Sequence, residues 1–106
     1  MKKLIKDGKV AVLISPSYGG GWSTWAFGDP DELLFDPVIA QMILDFADID
    51  EIEQVVRLRH PDENACMAGL EDLEVRWVDQ GKEFIVEECD GAESIRYKDG
   101  IIWSVA

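Results

Sequence analysis

The chain has 106 residues, of which 47% are hydrophobic and 9% aromatic, and its formal net charge is −12 at pH 7. This length and composition predict one folded domain over residues 1–106 and exclude an intrinsically disordered chain. No apolar stretch approaches the roughly 20 residues of a membrane-spanning helix, and residues 1–9 lack the apolar run of a signal peptide. We therefore expect a soluble, cytoplasmic protein with no membrane partner.

The negative charge is concentrated in one segment. Between Gly28 and Val56 the sequence has nine Asp or Glu residues and no Lys or Arg. Because phosphate binding depends on Lys and Arg, we expect no direct binding to duplex nucleic acid. Two interpretations of the acidic segment stay open: it imitates a polyanion toward a basic protein partner, or it only keeps the chain soluble.

The first half of the chain predicts a strand, a loop and two helices. The apolar run at 9–15 is typical of a central strand buried on both faces of a sheet. Residues 16–25 contain a proline and three consecutive glycines, which predict a loop. Asp36 and Pro37 indicate the start of a helix, and a capping-box pattern at Asp50 predicts a second helix from Glu51 to about His60. The apolar residues that predict one face of the first helix are Val38, Ile39, Met42, Ile43 and Phe46.

The last third of the chain alternates between apolar and polar residues, as half-buried strands do. Asp-Gly pairs at 90–91 and 99–100 are typical of tight hairpin turns. The segments 73–78, 83–89, 93–97 and 101–105 are therefore predicted to form a four-stranded antiparallel meander. The expected fold class is α+β, with the two helices packed on one face of the sheet.

The Gly/Trp-rich loop is the most unusual segment and the predicted ligand-binding site. Three glycines let backbone approach a ligand closely, tryptophan and tyrosine rings offer stacking surfaces, and hydroxyls offer hydrogen bonds. Two interpretations stay open for Glu93 and Ser94 after the Asp90-Gly91 turn: they face the same loop, or they are ordinary polar flanks of a hairpin. The alternative is that the tryptophans are core residues and the glycines only turn the chain. The predicted binding residues are Ser15, Tyr18, Gly19, Gly20, Gly21, Trp22, Ser23, Thr24, Trp25, Glu93 and Ser94.

Motifs for catalysis, cofactors and metals are missing from the sequence. The loop fits neither a dinucleotide-binding nor a Walker pattern, and no calcium-binding loop is present. His60 is the single histidine, for which capping of a helix end is expected. Cys66 and Cys89 are predicted to be reduced, partly buried thiols. We expect a non-enzymatic protein without catalytic residues, cofactor or metal.

The sequence resembles a family of small uncharacterised proteins of tailed phages and prophages. The resemblance spans nearly the whole chain and lies in the strand followed by Trp22-Ser23-Thr24-Trp25, and in Asp90-Gly91-Ala92-Glu93-Ser94-Ile95 of the C-terminal hairpin. The chain departs from the family pattern at Ser17, where glycine is usual, and at Cys89, where an aromatic residue is usual. The resemblance implies an accessory protein acting in the bacterial host cytoplasm, where suppression of host defence is a common role.

Two functional hypotheses follow. The first is a counter-defence protein that uses the Gly/Trp-rich loop to sequester a small nucleotide-type immune signal; phosphate would then need a base, with Arg76, Arg96, Lys98 or the N-terminal lysines as candidates. The alternative is an acidic inhibitor that binds a host defence protein as a nucleic-acid mimic, as acidic anti-CRISPR proteins do, with Trp22 or Trp25 as anchor. Self-association into a homo-oligomer is compatible with both hypotheses.

Overall fold

The computed structural model describes residues 3–16, 21–25, 29–61, 70–89 and 92–97. It has the α+β class that the sequence predicts, with antiparallel strands in two sheets. The elements in chain order are strands β1 (Ile5–Lys6) and β2 (Lys9–Ile14), a 3₁₀ helix (Ser23–Trp25), helices α1 (Pro30–Leu34), α2 (Pro37–Leu44) and α3 (Ile49–Arg59), and strands β3 (Glu74–Asp79), β4 (Phe84–Cys89) and β5 (Ala92–Tyr97).

Strand β2 is the central strand of the larger sheet, as its apolar run predicts. It pairs antiparallel with β1 on one side and with β3 on the other. The turn between β1 and β2 has both central residues at positive φ, 52° at Asp7 and 76° at Gly8, as tight hairpins require. From Val10 to Ser15 the chain is buried throughout.

The four-stranded meander is not confirmed. Strand β3 pairs with β2, whereas β4 and β5 form a separate two-stranded sheet. The turn after β3, with Gly81 at φ +87°, leads the chain away from the first sheet instead of folding it back beside β3. The fourth predicted strand, 101–105, lies outside the described residues.

The three-stranded sheet has an apolar layer on each face. Ala11 and Leu13 of β2 pack with residues of α2 and α3, including Ile39 and Val56. The alternate side chains of β2 pack with α1 and with one face of the β4–β5 hairpin; these hairpin residues are Phe84, Val86, Ile95 and Tyr97. The order of layers is therefore α2 and α3, the three-stranded sheet, and then the hairpin with Leu34 of α1, so β2 is in contact with both outer layers.

Helix α2 begins where Asp36 and Pro37 predict. The Asp36 carboxylate accepts from the N–H groups of Val38 at 2.9 Å and Ile39 at 3.2 Å, which satisfies donors that a helix start leaves free. The predicted capping box at Asp50 is wrong. Helix α3 begins at Ile49 with Asp48 at the N-cap, and the Asp48 side chain makes no capping hydrogen bond.

Phe46 does not lie on the apolar face of α2, contrary to the periodicity of the sequence. The helix ends at Leu44, and Phe46 adopts φ +57° with 94% of its surface exposed. Its N–H donates to the Ile43 carbonyl at 3.1 Å, and the Ala47 N–H donates to the Met42 carbonyl at 3.0 Å. These are the two bonds of a Schellman helix end, in which glycine usually occupies the left-handed position because a side chain there costs about 1–2 kcal/mol.

Among the described residues, no helix has the length and apolar character needed to cross a membrane.

Candidate ligand-binding site

The carboxylate of Glu93 joins the Gly/Trp-rich loop to the C-terminal hairpin. Glu93 lies near the start of β5 and is 2% exposed. Its Oε1 accepts from the Ser15 N–H at 2.9 Å, and its Oε2 accepts from the N–H groups of Trp22 at 2.9 Å and Thr24 at 3.0 Å. The Thr24 hydroxyl donates to the same Oε2 at 2.5 Å. Glu93 therefore contacts the loop, which is one of the two interpretations that the sequence leaves open.

Backbone bonding reinforces this junction. The Glu93 N–H donates to the Ser15 carbonyl at 2.8 Å, just beyond the end of β2. Three backbone N–H groups that converge on one point form the kind of concave donor set that binds phosphate in other loops. Here the chain's own carboxylate fills that donor set. A ligand bound to the loop in this conformation must therefore use other groups.

Trp22 belongs to the hydrophobic core. Its side chain is completely buried against residues of β2, α1 and α2, and its Nε1 donates to the Leu33 carbonyl at 2.9 Å. Trp22 is therefore a core residue, which is the alternative to ligand binding that the sequence leaves open. Neither face of the buried ring is accessible for stacking on a ligand.

The remaining predicted residues lie in different places. Ser15 and Gly21 are buried, and the Ser15 hydroxyl has no hydrogen-bond partner among the described residues. Ser94 is exposed on the opposite side of β5 from Glu93. The 3₁₀ helix includes the backbone of Trp25. Three further predicted residues lie outside the described part of the chain: Tyr18, Gly19 and Gly20.

An open cleft of about 640 Å³ lies between the loop, α1 and β4. Ser23 and Thr24 line it from the loop. Phe35 and Phe84, whose rings meet edge to face with centroids 6.2 Å apart, line it from the core side. The volume falls within the roughly 300–1,000 Å³ of ligand pockets in proteins. The other lining residues are Lys3, Pro30, Asp31, Leu34, Ile85 and Val86.

Among the described residues that line this cleft, Lys3 is the one base. Its Nζ lies 4.2 Å from the centre of the Phe35 ring, a cation–π distance. The other candidate bases lie elsewhere: Arg76 is paired with Glu74 at 2.5 Å, and Arg96 with Glu87 at 3.2 Å. Lys98 lies outside the described residues. A cluster with one Lys and one Asp is close to neutral, in contrast to the chain as a whole.

A second polar cluster, which the sequence did not predict, joins the ends of α2 and α3. The buried Asp36 Oδ2 accepts from Arg59 Nε at 2.8 Å and lies 2.6 Å from His60 Nε2. Burial raises the pKa of Asp36, but hydrogen bonds from His60, Arg59 and the Ile39 N–H outweigh it, so the pKa falls from 3.8 to about 2. His60 occupies the C-cap of α3, as expected, where its N–H donates to the Val56 carbonyl, while its ring hydrogen-bonds to Asp36 at the start of α2 and so links the two helices.

The structure also bears on the predictions made for the two cysteines and for metal-binding side chains. Cys89 is free and exposed, so its predicted partial burial is wrong, and Cys66 lies outside the described residues. In the ranges that the structure describes, no three His, Cys, Asp or Glu side chains are grouped so that they could hold a metal ion.

Comparison with known proteins gives no match: no family model fits the chain, and no curated protein or solved structure is significantly similar to it. The resemblance to small phage proteins stays a prediction from the sequence.

Proposed function

We propose that this chain is a non-enzymatic binding protein that holds a small nucleotide-type ligand in the cleft between the loop, α1 and β4. One observation carries the proposal. Ser23 and Thr24, two of the predicted loop residues, line this cleft together with an aromatic pair and a lysine. Concave sites that combine apolar walls with a few polar groups are the usual form of a small-molecule site.

The chemistry of the cleft suits a ligand with an aromatic ring and an anionic group. The edges and faces of Phe35 and Phe84 offer the apolar contact that a base requires. The Lys3 ammonium supplies a positive charge for a phosphate. The Ser23 hydroxyl and the lone pairs of the Thr24 oxygen, whose proton is donated to Glu93, offer hydrogen bonds that fix orientation.

The role of Glu93 in this proposal is to shape the loop. Its carboxylate holds the Trp22 and Thr24 N–H groups, so the loop residues beside the cleft are fixed before a ligand arrives. Fixing a loop in advance removes the entropy that binding would otherwise lose. Because Glu93 occupies these backbone N–H groups, we expect side chains to recognise the ligand. Sequestration of a nucleotide immune signal in a phage-infected cell is the role that the resemblance suggests for such binding.

Thermal unfolding in the presence of nucleotides tests the proposal. We expect cyclic di- and trinucleotides, mononucleotides or ADP-ribose to raise the stability of the protein, by about 2.7 kcal/mol at a concentration 100 times the dissociation constant. Chromatography of the ligand after incubation should recover it unchanged, because the proposed function is binding alone.

A pair of lysine variants locates the site. Lys3→Met keeps the apolar stem and removes the ammonium, so it should weaken binding. Lys6→Met makes the same change in β1, outside the residues that line the cleft, and should bind like the parent protein. The proposal fails if no nucleotide raises the stability, or if the two variants bind equally well. Conversion of the ligand would show that the protein is an enzyme.

A further inference from the structure

The exposed Phe46 ring occupies a backbone position that favours glycine. It is the left-handed residue of the Schellman end of α2, held by the Phe46 and Ala47 N–H bonds to α2 carbonyls. The side chain is 94% exposed, so packing within the described part of the chain does not account for it. A bulky residue with positive φ is a genuine outlier, and a fully exposed phenylalanine gains no burial in return. Packing among the described residues therefore does not explain a phenylalanine at this position.

Acidic residues surround this ring in sequence on both sides. The segment 45–51, which comprises the turn between α2 and α3 and the first turn of α3, also includes Ile49, which is 41% exposed. Four exposed carboxylates flank these two apolar residues: Asp45, Asp48, Asp50 and Glu51. Within the described residues, none of the four forms an ion pair with Lys, Arg or His. Phe46 and Ile49 thus form an apolar projection that is flanked by Asp45, Asp48, Asp50 and Glu51. We call these four carboxylates the acidic rim.

We propose that segment 45–51 is a docking surface for a partner protein whose Lys and Arg residues surround an apolar patch, with Phe46 as the anchor. Aromatic residues that become fully buried at the centre of an interface contribute most of its binding energy. The surrounding carboxylates would speed association with a basic surface and reject acidic ones. The acidic inhibitor hypothesis thus gains an anchor that the sequence did not identify, in place of the buried Trp22.

Charge favours a basic protein partner over a second copy of the chain and over an anionic lipid surface. A second copy of the chain would bring an identical acidic rim against the first, and both copies carry a net charge of −12. An anionic lipid surface would likewise repel the four carboxylates. A basic protein surface gains from the same contacts. The backbone bonds of the Schellman end hold the anchor in place before binding, which reduces the entropy that docking loses.

Synthetic amphipathic peptides provide a defined probe of this surface. A helical peptide with leucines on one face and lysines on the other presents an apolar stripe between basic rows. We expect it to bind the protein, with chemical-shift changes centred on residues 45–51 and affinity that falls as salt rises. A scrambled peptide of the same composition should bind more weakly, because its leucines form no stripe.

Two variants test whether the peptide binds Phe46 specifically or any exposed apolar side chain. Phe46→Gly should lose affinity for the amphipathic peptide by at least about tenfold, whereas its fold is retained because glycine suits the left-handed backbone. Leu58→Ala is the matched control, since Leu58 is 82% exposed but lies in the last turn of α3, away from the acidic rim. It should bind the peptide as tightly as the parent protein.

Three results would overturn the proposal. Equal peptide binding by Phe46→Gly and the parent protein would reduce the interaction to charge alone. Shift changes confined to residues outside 45–51 would place binding elsewhere. A dimer in sedimentation experiments that dissociates on the Phe46→Gly substitution would show that the surface serves self-association. None of these results depends on nucleotide binding at the cleft, so the two proposals can fail separately.

Discussion

Glu93 and Thr24, 69 residues apart in the chain, meet through two hydrogen bonds to a single carboxylate oxygen. Strand β5 and the loop share no sheet ladder, so these hydrogen bonds and the apolar packing of the hairpin on β2 together connect the hairpin to the rest of the fold. A buried carboxylate is tolerated here because its oxygens are satisfied by three N–H groups and a hydroxyl.

Replacing Glu93 should therefore destabilise the protein strongly. Glu93→Gln is isosteric, but its amide NH₂ must face either the Ser15 N–H or the donors of Trp22 and Thr24. Donors left without an acceptor in the interior cost about 1–3 kcal/mol each, so we expect a lower urea midpoint. Ser94→Ala, at an exposed position of the same strand, is the control and should change stability by no more than about 0.5 kcal/mol. Equal midpoints for the two variants would show that the carboxylate is not needed for the fold.

Substitution of Trp22 tests whether its ring is part of the core or a surface for ligand stacking. Because its ring is fully buried, Trp22→Ala should lower the free energy of unfolding by about 3–5 kcal/mol. Trp22→Phe keeps most of the volume and loses the Nε1 bond to Leu33, so its loss should be smaller, about 1–3 kcal/mol. Chemical unfolding measures both values. A fully stable Trp22→Ala protein would contradict the placement of the ring in the core.

Asp36 should contribute to the acid stability of the protein. Its pKa is lowered in the folded state, so its stabilising effect is complete above the unfolded pKa near 3.8 and is lost as the pH falls toward 2. The difference corresponds to about 2 kcal/mol. Asp36→Asn should remove this part of the pH dependence in urea unfolding measured between pH 2 and 5.

Asp48→Asn is the matched control for Asp36→Asn. Asp48 is also a helix N-cap, but its side chain makes no capping hydrogen bond. We expect its pH profile to follow that of the parent protein. Identical profiles for all three proteins would mean that the Asp36 cluster has no net effect on stability.

Phe46 should be replaceable by glycine with a gain in stability. Glycine relieves the left-handed strain of about 1–2 kcal/mol, and its greater freedom in the unfolded chain offsets roughly half of that, so a gain of about 0.5–1 kcal/mol is expected in thermal or urea unfolding. Phe46→Ala keeps the strain and removes only the exposed ring, so its stability should match that of the parent. Loss of stability in both variants would indicate that the ring supports the fold.

Local patterns predicted the parts of the fold that local physics determines. The apolar run at 9–15 predicts the central strand β2, and Asp36 with Pro37 predicts the start of α2; the structure confirms both. The pairing of β3 with β2 depends on contact between segments some sixty residues apart, which no local pattern encodes, and a short turn after β3 favoured the hairpin instead. Phe46 was misplaced because the end of α2 has neither glycine nor proline to mark it.

The candidate site was predictable to a similar degree. The turn chemistry marks the hairpin that contains Glu93, but whether this hairpin meets the loop depends on contact between segments about seventy residues apart, which no local pattern encodes. Lys3 reaches the cleft only through tertiary packing, so nothing in its sequence context marks it. His60 and Asp36 meet because α2 and α3 lie side by side.

The position of β2 between two outer layers has a consequence for how the molecule opens. Helices α2 and α3 cover one face of this strand and the hairpin covers the other, so neither layer buries its apolar side chains without it. The backbone amides of β2 are therefore expected to exchange with solvent deuterium only when the whole chain unfolds, whereas the hairpin can detach first by breaking the Glu93 contacts and its apolar packing on β2. The last structure to melt should thus be formed by β2 together with β3, its distant partner in sequence.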